Sequence, residues 1–222
     1  MRLHPAVQAA AAFLLFAVAQ ATAVTINWGS PVLSSTVNSQ GQEIDSSYHV
    51  ELGAFANGFV PTEQNMSEWA SNWRTFSVAT YVAEFGSFTG TADLVAGGAS
   101  SDPMASLGMN FSDVEAYVWI FNSATMSANT EWFLGRSDSW VMPTAPLETD
   151  CCDDRLPTQW SISDLRPGDT PVYGGQGQVA GAGSASNPGN YDIQTYTVPE
   201  TSSLLLASVG LLFTFWRRRP VS

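Results

Sequence analysis

Apolar and polar residues alternate over short stretches of this chain, with turn residues between them. Tyr48 to Phe55 is the clearest case. Tyr48, Val50, Leu52 and Ala54 fall on one face, and His49, Glu51 and Gly53 on the other, which is the period of a half-buried strand. Before it, Thr25 to Trp28 is a β-prone run stopped by Gly29, Ser30 and Pro31, and residues 34 to 47 read as a long polar loop. After Pro61 the period changes. Met66, Trp69 and Trp73 are spaced for one helical face, with Asn65 placed to cap and Glu68 three residues on, so a short helix is expected from Met66 to Arg74.

From Ser77 onward only strand-like segments recur. They are Val78 to Phe85, Ser87 to Thr91, Glu115 to Phe121, Glu131 to Leu134, Ser139 to Met142, Trp160 to Leu165, Val172 to Tyr173 and Ile193 to Val198. Ala116 to Phe121 is apolar on both faces and Glu131 to Leu134 is similar, so a hairpin across Asn122 to Thr130 is expected in the middle of the sheet. Residues 174 to 190 include six Gly and almost nothing apolar. Such a stretch suits a linker, but the Tyr191, Ile193, Tyr196 pattern behind it favours a long surface loop before a closing strand. Short strands with no helix-length pattern between them predict an all-β domain, an antiparallel sandwich or jelly roll with one short helix.

Two segments lie outside that pattern. At the start, Arg2 and His4 precede an apolar stretch from Ala6 to Ala19, and Ala21 and Ala23 supply the small residues that a signal peptidase requires. A secretory signal over residues 1–23 is therefore expected, cut after Ala23 and exported by the Sec machinery. At the end, an apolar run from Leu204 to Trp216 is followed by Arg217, Arg218 and Arg219. Thirteen residues are short for a membrane span. Counted from Val198 the segment reaches nineteen, and three Arg would hold its far end on the cytoplasmic side. The chain thus divides into 1–23, a β-rich extracytoplasmic domain over 24–197, and a C-terminal hydrophobic helix with its flanks over 198–222.

Composition narrows the choice of partners. The chain has no Lys, and between residues 24 and 197 four Arg face nineteen Asp and Glu, a net charge of minus fifteen. Such a surface repels nucleic acid and anionic headgroups, so no nucleic-acid partner is expected. Eight Trp and twelve Phe supply ample core. Trp69 and Trp73 would suit a sugar-stacking platform, although such a pair is more often buried.

Little of the chain points to catalysis. Beyond the leader the only His is His49, read as an outward-facing strand residue, and no nucleophile motif or phosphate loop occurs. No catalytic residue is assigned, and a two-carboxylate glycoside hydrolase is the enzymatic alternative. Cys151 and Cys152 are adjacent. In an oxidising compartment they would form a strained vicinal disulfide, or else stay free or bridge between molecules. Glu148, Asp150, Asp153 and Asp154 surround them, a weak Ca²⁺ candidate whose default is a solvated acidic turn. No other cofactor is expected.

The tail, with Val198, Pro199, Glu200 and Thr201 ahead of the apolar run and the Arg triplet, resembles the PEP-CTERM sorting signal of Gram-negative bacteria. Thr201 stands where that family has its second Pro. The stretch holding Leu52, Gly53, Phe55, Gly58, Phe59, Pro61, Thr62, Asn65, Trp69 and Trp73 also looks like the small β-rich ectodomains that carry such tails. The resemblance implies an exosortase-type membrane enzyme as partner, passage through the inner membrane and periplasm, and a final place on the cell surface or in a polysaccharide matrix. It implies no reaction. A carbohydrate-binding module is the alternative, suggested by the Trp content and the acidic loops.

Overall fold

A computed structural model describes residues 23–32, 34–147, 155–165, 171–177 and 192–199. The strands are β1 (Ala23–Gly29), β2 (Thr36–Val37), β3 (His49–Phe55), β4 (Trp73–Val82), β5 (Ser87–Val95), β6 (Tyr117–Phe121), β7 (Glu131–Gly135), β8 (Thr158–Ser161), β9 (Gly175–Gly177), β10 (Asp192–Gln194) and β11 (Tyr196–Thr197). One short α-helix, α1 (Trp69–Asn72), precedes β4. The fold is mainly β and sandwich-like. Eight strands form one sheet in the order β11-β7-β6-β3-β4-β5-β1-β8, and β2-β10-β9 form a small second sheet. Pairing in the large sheet is antiparallel except where β8 runs parallel to β1.

Alternation in β1 and β3 holds as the sequence predicts. Val24, Ile26 and Trp28 of β1 and Val50, Leu52 and Ala54 of β3 enter one core with Phe76, Phe88, Leu94, Val118, Ile120 and Phe133. The small sheet and the loops close that face with Ile193, Phe111, Trp140 and Met142. A second cluster lies on the opposite face, where Phe55, Met66, Trp69, Trp73, Trp119, Phe121 and Trp132 pack together. Trp69, the first residue of α1, is stacked on Trp132 at 5.5 Å and edge-on to Trp119 at 6.4 Å. With cores on both sides, every residue of β6 and β7 is buried, which is why both read as apolar on two faces.

Several expectations are corrected. The hairpin of β6 and β7 forms across 122–130, but β3 and β4 are the middle of the sheet and the hairpin lies toward the β11 edge. Burial on two faces follows from the 59–72 segment covering the outer face, and a central position is not needed for it. The helix expected from Met66 to Arg74 is a 3-10 segment (Glu63–Glu68) followed by the single α-turn of α1, and β4 starts at Trp73 opposite Phe55. Asn65 is not the cap; it lies inside the 3-10 segment, where its Oδ1 accepts from the Thr62 N–H at 2.8 Å and the Trp69 Nε1 at 2.9 Å. Residues 139–142 make one bridge, Glu115 to Val141, and no strand. The polar stretch 34–47 contains β2, β8 gives way to a 3-10 turn (Ile162–Asp164), and the closing strand is split into β10 and β11. Of the Gly-rich stretch, 175–177 form β9 and 178–190 lie outside the described residues.

Candidate functional site

The closing strand is split at Thr195. That residue is fully buried, β10 before it belongs to the small sheet, and β11 after it pairs with β7. Glu131, the first residue of β7, anchors the switch. Its Oε2 accepts from Thr195 Oγ1 at 2.7 Å, Tyr48 OH at 2.7 Å and the Ser39 N–H at 3.0 Å, and its Oε1 from Ser39 Oγ at 2.5 Å. Glu131 is 8% exposed and has no ion pair among the described residues. Burial raises its pKa, but the bonds from Ser39, Thr195 and Tyr48 outweigh burial, and the carboxyl ends below its ordinary value. The Tyr48 phenol is pushed up by its own burial and by the facing Glu131. Four donors on one carboxylate tie β7, the turn after β2, the start of β3 and the C-terminal strap together.

The strap ends at Val198, which is 2% exposed and whose N–H donates to the Thr130 carbonyl at 2.7 Å. Pro199 follows at once and is exposed. Of the residues singled out for sorting, Val198 and Pro199 are thus at the edge of the fold, whereas Glu200, Thr201, Arg217, Arg218 and Arg219 lie outside the described residues. Ala23 opens β1 opposite Val95, and Ala21 lies outside. Cys151, Cys152, Glu148, Asp150, Asp153 and Asp154 lie outside as well. Among the described residues no group of carboxylates, His or Cys is placed to hold a metal, and no helix is long and apolar enough to cross a membrane.

His49 is exposed and stacks on Phe121, with ring centroids 5.2 Å apart. Trp69 and Trp73 are core, at 0% and 7% exposure, and the other described Trp are buried too. A stacking platform of exposed indoles therefore has no Trp to use among the described residues.

An open groove of about 380 Å³ lies on the outer side of the β5-β1-β8 end of the sheet. Register sets its floor. Thr91, Asn27 and Gln159 form one row across the three strands, and Thr89, Gly29 and Ser161 form the next. Thr91 Oγ1 donates to Asn27 Oδ1 at 2.8 Å. Trp28 and Trp160 border the groove from below. Among the described residues its lining is uncharged, so these offer neither the carboxylate pair of a glycosidase nor a carboxylate for a hard cation. The sequence carries a faint signal for this groove, because the outward positions that reach it, Asn27 in β1 and Thr89 and Thr91 in β5, are neutral and polar where an ordinary exposed face would carry charge. Glu131 gave no such signal, since an acid at the start of an apolar run reads as a strand end.

No family model, no curated protein and no solved structure matches this chain.

Proposed function

We propose that this chain is an exported envelope protein that is sorted, and held at the membrane in transit, through residues 198–222, and that it finishes on the cell surface or in the surrounding polysaccharide. One observation carries the reading: Pro199 and Glu200, the apolar run from Leu204 to Trp216 and the Arg triplet follow directly on the last strand. A turn, a segment of marginal spanning length and a basic stop in that order suit a helix that enters the inner membrane with its Arg on the cytoplasmic side. The apolar stretch from Ala6 to Ala19 with its Ala21 and Ala23 exit supports Sec export and signal-peptidase cleavage. An exosortase-type membrane enzyme is the processing partner this reading requires. Docking of Val198 on Thr130 leaves almost no stalk, so the domain sits against the bilayer until the tail is processed.

Deleting residues 199–219 tests the proposal. The shortened chain is expected to move from the membrane fraction to the soluble periplasmic or medium fraction. An unchanged distribution overturns the sorting role of the tail.

A further inference from the structure

We infer that the groove over β5, β1 and β8 binds a neutral, hydroxyl-rich glycan chain. The inference does not depend on how the tail is handled. The groove's described lining is free of charge in a domain whose net charge is minus fifteen. Anionic polymers are repelled by that surrounding field, and a cationic ligand finds no carboxylate in the groove itself. Asp93, the nearest acid along β5, lies one row beyond the lining and accepts from Thr25 Oγ1 at 2.7 Å.

What the groove offers is a set of neutral donors and acceptors on a rigid floor. Among the described residues the Gln159 side chain and the Thr89 hydroxyl have no hydrogen-bond partner, while the Thr91 bond occupies Asn27 Oδ1 and leaves the Asn27 amide donors without one. β1 is paired along both edges here, so these groups are held in place before a ligand arrives. Adjacent strands lie about 4.8 Å apart, which spaces the groups within each row for successive hydroxyls of one chain. Gly29, between Thr89 and Ser161 in the second row, contributes only backbone.

Trp160 adds an independent observation. It is only 8% exposed and stacks on Trp140 at 5.9 Å, yet its indole N–H has no acceptor among the described residues. The indoles of Trp28, Trp69, Trp73, Trp132 and Trp140 all donate to protein oxygens. Trp119 lacks a partner too, but its nitrogen is sealed inside the outer cluster. Trp160 is one of the groove's lining residues and its nitrogen is not among the fully sealed ones, which leaves it a donor open to an outside oxygen. A volume of about 380 Å³ lies in the range of small-ligand sites, and an open trough admits a polymer passing through it.

The test is affinity electrophoresis of the full chain, purified in detergent, through native gels containing a neutral β-glucan, a neutral α-glucan or an anionic polyuronate. Retardation is expected in a neutral glucan and not in the polyuronate. Gln159→Ala and the double variant Asn27→Ala with Thr91→Ala are expected to weaken it about tenfold. Trp160→Phe, which keeps a ring and removes the N–H, should weaken it as well, while Ser71→Ala on α1 should not. Unchanged melting temperatures of the Gln159 and Asn27/Thr91 variants exclude misfolding as the cause. The inference is overturned if no neutral glucan retards the chain, if the polyuronate retards it more, or if the groove variants bind as well as the parent. Saturable binding of an extended peptide at β8 in place of a glucan overturns it too.

Discussion

Glu131 keeps a charge where burial disfavours it, because four protein donors replace its water. Glu131→Ala strands the Tyr48, Thr195 and Ser39 donors, and a loss of about 3 kcal/mol is expected in urea unfolding. The folded pKa is below the ordinary value of 4.5, so the unfolded chain takes up the proton first as pH falls. Stability from this group is therefore complete above about pH 4.5 and is lost as pH drops through the lowered folded value. Glu131→Gln should flatten that part of the acid limb of a stability–pH curve, leaving the contribution of Asp45, whose pKa is lowered by its hydrogen bonds from Ser47. The indoles give a sharper comparison. Trp119 and Trp132 are equally buried, but Trp132 Nε1 donates to the Ser123 carbonyl at 2.6 Å while Trp119 Nε1 has no partner. Trp132→Phe orphans an acceptor and Trp119→Phe removes an orphaned donor, so the first should cost about 1–2 kcal/mol more by thermal or urea melts.

At the scale of elements, β3 and β4 show how one glycine shapes the sheet's middle. Their register shifts between Leu52 and Gly53, and a Cβ at Gly53 would stand 2.3 Å from the Arg74 carbonyl and 2.6 Å from the Trp73 ring. Gly53→Ala is therefore expected to destabilise the fold by about 2 kcal/mol or more, read as a lowered melting temperature. Alternation made β1 and β3 legible in the sequence, and two-faced apolarity made β6 and β7 legible. The extent of the helix was not legible. Trp69 and Trp73 reach the same cluster whether Trp73 continues a helix or starts a strand, so their spacing cannot separate the two. Long-range pairing of Trp73 with Phe55 decides it, and so does the bond from Trp73 Nε1 to Glu51 at 2.7 Å. β2, β9, β10 and β11 are two or three residues each, too short to show a period. The groove was legible only in part, since polar alternation marks an outward face and only strand register brings Gln159 beside Asn27.

At the scale of the molecule, the order of strands separates the two ends of the described chain. β1 lies at one side of the large sheet beneath β8, and β11 lies at the other. Both outermost strands come late in the sequence, and β8 must return across more than a hundred residues to lie beside β1. A chain emerging from its N-terminus can therefore assemble β3 to β7 before either border exists, and the borders are added last. The groove, which needs β8, is complete only after that addition.

The strap that changes sheets at Thr195 also determines how the fold bears load. A pull on Pro199 meets β11 first, two residues paired along one edge, which open one bond after another like a zipper. Behind it, Thr195 is held by Glu131, and β10 lies between two neighbours, so the force next meets a clamp that must give way all at once. Tension on the C-terminal tail would thus free a few residues of slack and then meet the clamp before it reaches the rest of the sheet.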